Sequence, residues 1–410
     1  MPRILLLLPT RTYRTEDFLA AALGLGVEVV VASERANALA AERPDELLAL
    51  DFLDPAAAAR EAAAFARAHP LDAVVPVDDD TTVVAAAISA ALGQPHNSVA
   101  SAAAARDKHL MRALLARAGV PVPHYTLCSL DEDPGAVAAR VGYPCVVKPL
   151  FLSASRGVIR ADEPDGFVAA VRRLAAILEI PDVAERGGEA ARQYLVEAFV
   201  PGEEVALEGL LLKGELQVLA LFDKPDPLEG PFFEETIYIT PSRLPADVQA
   251  ELAAATAGAA RALGLREGPV HAELRWNQDG PWVIEIAARS IGGLCSRTLR
   301  FGTGLSLEEL ILRHALGMEI PSLERERRAA GVMMLPIPRR GTLREVRGQD
   351  AAKAVPGVEE VAVTAHLGQE LIPLPEGAAY LGFLFARAET PEAVEAALRE
   401  AHRRLDFVIA

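Results

Sequence analysis

The sequence predicts a chain of α/β and α+β units: an N-terminal open parallel sheet, a mixed central unit and a small C-terminal α+β unit. Three observations predict it. Strand and helix signals alternate through residues 1–100, a polar-faced hairpin occupies 271–289, and strands followed by one long helix fill 331–410. Alternation of strand and helix means a parallel sheet with crossover helices.

In the first unit, residues 3–8, 28–32 and 73–77 read as strands, and 18–25, 55–68 and 82–92 as helices. Residues 4–8 are too short an apolar run for a signal peptide or a membrane span, and read as a buried strand. Gly24-Leu25-Gly26 ends a helix and enters a strand. A dinucleotide fingerprint needs the opposite polarity, so nicotinamide binding is rejected. Asp78-Asp79-Asp80 closes the 73–77 strand, where an open sheet binds ligands; a helix N-cap cluster is the alternative.

In the central unit, residues 101–118 read as one helix containing Arg106-Asp107-Lys108, and Gly119 to Pro123 ends it. Strands are expected at 145–148, 194–198, 204–212, 215–222 and 235–239, and helices at 165–178, 245–263 and 307–316. In the third unit, strands are expected at 332–337, 358–365 and 381–388, with a helix at 391–404.

The 410 residues are 51% hydrophobic and 24% charged, with a formal net charge of −16. Several folded cores fit this composition. A nucleic-acid partner calls for a basic patch, and no such role is read here. No membrane role is read either. Three cysteines at wide spacing, without CxxC, argue against a disulfide framework or zinc site and suit a cytoplasmic protein.

The hairpin carries the chemistry. With its turn at 277–281, Trp276 faces Trp282 and Glu273 faces Glu285. Alternation then puts His271, Glu273, Arg275, Val283, Glu285, Ala287 and Arg289 on one face. Opposed carboxylates repel, and a divalent cation between them relieves the repulsion, with Arg289 beside it to hold an anion. Gly292 and Gly293 permit close backbone approach. Lys148 ends an apolar strand, and a small-residue loop with Ser153, Ser155 and Gly157 follows. A buried-strand lysine before such a loop suits phosphate oxygens; a plain hairpin loop is the alternative. Glu197 to Glu204 is a strand, turn and strand whose edge suits a purine and whose acid suits ribose hydroxyls, or else an ordinary turn with solvated acids.

Read together, Lys108, Lys148, the 153–157 loop, the stretch from Glu197 to Val200, Glu204, Glu273, Glu285 and Arg289 stand in the order found in the ATP-grasp superfamily, which the chain resembles over 100–318. Within it the chain looks most like carboxylate–amine ligases related to bacterial L-amino-acid (dipeptide) ligases. The resemblance implies an N-terminal Rossmann-like pre-ATP-grasp domain (1–100), an ATP-grasp domain (101–318, lid portion about 125–200) and a C-terminal α+β domain (319–410). It implies ATP and Mg²⁺ as cofactors, and small-molecule carboxylate and amine substrates. Lys108 and Lys148 would hold phosphates, and Ser153, Ser155 and Gly157 would form the lid. Glu197, Phe199 and Val200 would face adenine, and Glu204 would bind ribose. Glu273 and Glu285 would hold the metal, and Arg289 would neutralise the transferring phosphoryl and the acyl phosphate.

Glu235, Tyr238 and His271 are candidates for assisting the amine, with Lys224, Tyr238, Arg289, Gly292 and Gly293 on the substrate side. Two departures stand out: many relatives carry Asn where this chain has Ala287, and the lid has a single glycine. A carboxylase of the biotin-carboxylase or purine-biosynthesis kind and a non-catalytic ATP-binding module stay open as alternatives, as does a homodimer.

Overall fold

The computed structural model describes residues 1–35, 42–43 and 45–410. The N-terminal sheet is parallel, in the order Leu47–Ala49, Glu28–Ser33, Arg3–Leu7, Ala73–Pro76. Strand Arg3–Leu7 is buried on both faces, which is why it reads as an unbroken apolar run. Leu5 and Leu7 pack against Ala58, Ala62, Val84 and Ile88 of helices Pro55–Ala68 and Asp79–Leu92. Ile4 and Leu6 face Phe18 and the helix Leu307–Ala315, in a core that continues into Phe222, Tyr238 and Phe383. Gly26 caps the helix Thr15–Leu25 in a left-handed conformation (φ 63°), a C-cap role that uses glycine's freedom.

Three antiparallel sheets build the rest of the described residues; one is a three-stranded sheet in the order Glu370–Leu371, Gly341–Arg347, Asp406–Ile409, and the other two carry the site. Of these two, the small one has the order Tyr125–Ser129, Gln193–Ala198, Cys145–Pro149, Ile159–Ala161, with helix Pro164–Leu178 on its apolar face. The large one has eight strands, in the order Gly280–Ala287, Gly268–Asn277, Glu203–Leu212, Glu215–Asp223, Ile237–Thr240, Ala329–Leu335, Gly382–Ala388, Val358–Val363. The last three strands come from the C-terminal stretch, so it extends the large sheet and covers it with helix Pro391–Arg403. Helix Ala246–Leu263 covers the hairpin end.

The expected single helix over 101–118 is two, Val99–Arg106 and Lys108–Arg117. Asp107 breaks it: its extended backbone ends the first helix, and its side chain accepts the Leu110 N–H at 2.9 Å to cap the second. Lys108 therefore opens a new helix between the two sheets. Among the described residues, no helix is long and apolar enough to cross a membrane. Cys128, Cys145 and Cys295 are buried and unpaired.

Candidate active site

The hairpin forms, with a correction. Strands Gly268–Asn277 and Gly280–Ala287 pair antiparallel, and Glu273 does lie opposite Glu285. Trp276, however, faces Pro281, and Trp282 faces Arg275. The turn is shorter than expected: Asn277 pairs with Gly280, and the Asn277 side chain accepts the Asp279 N–H at 2.9 Å. A bulge between Glu273 and Leu274 on one strand, and Val283 and Glu285 on the other, leaves Ile284 unpaired and restores the register. Val283 consequently joins the apolar face, fully buried beside Leu274, and leaves the polar face where the sequence put it.

Among the described residues Glu273 and Glu285 are weakly paired, Glu273 having His271 Nε2 at 3.9 Å besides a lysine. Lys224 Nζ is 3.8 Å from Glu273, and Lys108 Nζ is 3.3 Å from Glu285. Burial, followed by the charge of Glu235, pushes the Glu273 carboxyl well above the usual carboxylate range, despite Lys224. Lys108 also donates to the Leu152 carbonyl at 2.8 Å, which ties it to the loop after Lys148.

Glu204, Glu235 and Glu273 have carboxylate oxygens within 4.8 Å of one another. Lys224 sits among them, 2.9 Å from Glu204 and hydrogen-bonded to Glu235, and Arg275 adds a 2.8 Å contact to Glu204. Tyr238 donates to Glu235 at 2.7 Å. Glu204 and Glu235 are thus already balanced by cations. Glu273 and Glu285 are the under-compensated pair, so the donor set fits a hard divalent cation there, such as Mg²⁺, which favours carboxylates and water.

Glu197 is placed differently from expectation. Its side chain does not face an open purine pocket. It is 2% exposed, held by Arg112 Nε and Lys148 Nζ, each at 2.6 Å. Burial works against its charge, but Arg112 and Lys148 bring its carboxyl down to about 2. Arg112 also donates to the bulged Ile284 carbonyl at 2.6 Å, joining the small sheet to the strand carrying Glu285. The Phe199 ring stacks on Phe233 with centroids 6.4 Å apart, under Arg160 at 4.1 Å and Arg275 at 4.9 Å. The Val200 carbonyl accepts from Arg275 at 2.7 Å.

The 153–157 loop has Ser153 and Ala154 exposed and Ser155 half-buried. Gly157 (φ 75°) cannot be replaced freely, because a Cβ there would come within 2.8 Å of Leu174 Cδ1. Its N–H donates to the Pro375 carbonyl at 2.9 Å. Arg156 donates to the Glu376 carbonyl at 2.8 Å. The loop therefore rests on the C-terminal stretch.

The acidic triplet meets the site through basic partners. Asp79 binds Arg289 at 2.7 Å, while Asp80 binds Arg106 at 2.6 Å and Arg186 at 3.0 Å. Asp78 holds the N-cap position of the helix without a side-chain cap bond. Ser290, next to Arg289, accepts from the fully buried Arg14 at 2.6 Å. Gly293 (φ 60°) lies against Phe383, whereas a Cβ at Gly292 would meet nothing within 4 Å.

His271 lies opposite Ala287, buried, with Nδ1 3.1 Å from Glu208. Burial, then Arg289 and Lys224, push its pKa well below the usual histidine range. That direction disfavours the charged imidazolium. Sequence reading missed Arg112 and Glu208. Arg112 is one turn after Lys108, so the two share a helix face. Glu208 lies on the same strand face as Glu204, and register sets Glu208 against His271 and Glu204 against Arg275.

Three family models match the chain: an ATP-grasp N-terminal domain over 19–96, an ATP-grasp domain over 141–298 and an L-amino acid ligase C-terminal domain 2 over 333–410. An alanine–anticapsin ligase of Bacillus subtilis (strain 168) is 29% identical over 235 residues, 54% of this chain and 49% of that protein. A D-alanine–D-alanine ligase of Aromatoleum aromaticum is 31% identical over 193 residues, 46% of this chain and 58% of that protein. The chain thus spans about half the length of these curated relatives. The crystal structure of an L-amino acid ligase from Bacillus licheniformis superposes with a TM-score of 0.81 at 26% identity, covering 100% of this chain and 99% of that one. With three successive matches in this order, over a hairpin that opposes two carboxylates, the chain belongs to the ATP-grasp superfamily.

Proposed function

We propose that this protein is an ATP-dependent carboxylate–amine ligase. It activates a carboxylate, that of an amino acid, as an acyl phosphate for attack by an amine, giving an amide or peptide bond, ADP and phosphate. The observation that carries the reading is the under-compensated pair Glu273 and Glu285, flanked by Lys108, with Arg289 two residues past the strand end at Ala287. In this reading the domains run 1–100, 101–318 and 319–410.

A carboxylate is a poor acyl donor because oxide is a poor leaving group. Its oxygen attacks the γ-phosphorus and ADP leaves. The amine nitrogen then attacks the acyl carbon and phosphate leaves with the electron pair of the C–O bond. Both steps spread negative charge over phosphoryl oxygens, which prearranged cations stabilise. Mg²⁺ at Glu273 and Glu285 would neutralise polyphosphate charge. Lys108 and Lys148 approach the phosphates from the helix and the small sheet, and Arg289 offers a planar fork to the acyl phosphate. Glu204 serves ribose, Phe199 and the backbone around Val200 serve adenine, and the 153–157 loop keeps water from the acyl phosphate. Lys224, Glu235 and Tyr238 would serve the substrate side, together with Gly292 and Gly293.

The test is ATP-dependent phosphate release over a panel of amino-acid pairs, with product mass measured. The expected product is the sum of two substrates less one water. Bicarbonate-dependent ADP release without an amide product would instead indicate a carboxylase, and no turnover on any pair would indicate a binding module.

A further inference from the structure

Strand Glu203–Leu212 pairs with Gly268–Asn277 so that Glu208 lies directly opposite His271. Glu208 is fully buried. One of its oxygens, Oε2, lies 3.1 Å from His271 Nδ1 and accepts the Ile291 backbone N–H at 2.9 Å. Its other oxygen, Oε1, is buried without a hydrogen-bond partner among the described residues. Burying a carboxyl with one oxygen unsatisfied costs stability, and an apolar side chain would fill the space without that cost. The pair therefore calls for an explanation beyond packing.

Geometry supplies one. In the tautomer with the ring hydrogen on Nδ1, Oε2 accepts from it as it does from the Ile291 N–H, although burial raises the Glu208 carboxyl well above its ordinary range. Nε2 is left as a lone pair, 3.9 Å from Glu273 Oε1. That lone pair opens onto the polar face of the hairpin, where a ligand bringing an N–H would meet it. Ile291 is two residues past Arg289, so the same oxygen also tethers the arginine segment to the sheet.

We propose that Glu208 is a positioning residue. It fixes His271 with Nε2 turned toward Glu273 as the acceptor for an N–H of the amine substrate, and it holds segment 289–293 in register with the carboxylate face. This rests on the ligase reading. A buried second partner that orients a histidine ring is worth about 10- to 100-fold where it has been removed from metal-site histidines.

The experiment has two arms on the full chain. In the first, ¹⁵N-histidine NMR, with the His271 resonances identified by difference from His271→Asn, reads the tautomer without any turnover. Protonated Nδ1 and bare Nε2 are expected, and the opposite tautomer overturns the proposal. In the second, Glu208→Gln keeps a carbonyl acceptor in place, while Glu208→Leu removes it. Glu208→Leu is expected to lose about 100-fold in kcat, with the KM for ATP within about threefold of wild type, and Glu208→Gln to recover most of that loss. Wild-type kcat in Glu208→Leu, or equal losses in both variants, overturns the proposal. If Glu208→Leu does not fold, the tautomer and the Glu208→Gln rate decide. If wild type turns over no pair, the ligase reading fails, while the tautomer still reports on the Glu208–His271 geometry.

Discussion

Arg289 and Asp79 stand 210 positions apart and meet through a single oxygen: Asp79 Oδ2 accepts from Arg289 Nε at 2.9 Å and from Nη2 at 2.7 Å. The third branch of the fork, Nη1, donates to the Ser290 carbonyl at 2.9 Å. Burial opposes the Arg289 charge, but Asp79 outweighs it and raises the guanidinium above its ordinary range. The N-terminal sheet thus reaches into the site through one carboxylate.

Asp79→Asn is expected to lower kcat/KM for the carboxylate substrate about tenfold, by loosening the fork without removing it. Arg289→Lys is expected to cost about 100-fold in kcat, since an ammonium cannot reproduce the planar pair of donors. Steady-state rates of phosphate release check both. A lysine variant at wild-type speed would remove Arg289 from the chemistry.

Glu285→Gln is expected to abolish turnover, by at least about 100-fold, while the circular dichroism spectrum stays that of wild type. Ligand at about 100 times its Kd stabilises a folded protein by about 2.7 kcal/mol. The Mg²⁺-dependent part of that gain, read as a melting shift with ATP and withdrawn by EDTA, is expected to be missing in the variant. An equal shift in both proteins argues against the metal assignment.

Glu197 sets an acid limit. Its carboxyl falls from an ordinary 4.5 to about 2 in the folded chain. The folded pKa is the lower one, so its contribution to stability is present above about pH 4.5 and is lost as pH falls toward 2. The shift corresponds to roughly 3 kcal/mol. Glu197→Gln leaves Arg112 and Lys148 buried without a counter-charge, and is expected to cost about 3–5 kcal/mol at pH 7. Urea unfolding at pH 7 and at about pH 3 checks this: the gap between the two proteins should narrow at the lower pH, and a constant gap contradicts the assignment.

Gly157→Ala is expected to destabilise by about 1–2 kcal/mol, because φ is positive there and the added Cβ meets Leu174. The same substitution at Gly292, where nothing lies within 4 Å, should be mild. Thermal unfolding of the two variants side by side checks the contrast. Equal melting temperatures would mean the loop relaxes.

Much of this was legible in the chain. The Glu273–Glu285 opposition came from period-2 alternation, although by two errors that cancel: the turn is one pairing tighter than expected, and the bulge at Ile284 adds the residue back. Nothing local marks that bulge, because Arg112, distant in sequence, holds its carbonyl. Glu197 is expected beside adenine because a lone sequence shows a carboxylate but not the two buried cations that claim it. The break at Asp107 was available from its capping chemistry and was overridden by the alanine-rich stretch before it. The contact of Gly157 with Pro375 depends on how the chain returns, which spacing alone does not encode.

The large sheet runs unbroken from the strand holding Glu285 to Val358–Val363. Strands Ala329–Leu335, Gly382–Ala388 and Val358–Val363 consequently ride on the same plate as the acidic pair, and cannot swing away from it without tearing strand pairings. In the proposed ligase reading, admission of a nucleotide would fall to the four-stranded leaf that bears Lys148. That leaf is pinned at its tip where Gly157 and Arg156 donate to the backbone carbonyls of Pro375 and Glu376, so on that reading its opening would unfasten bonds that the far end of the polypeptide supplies.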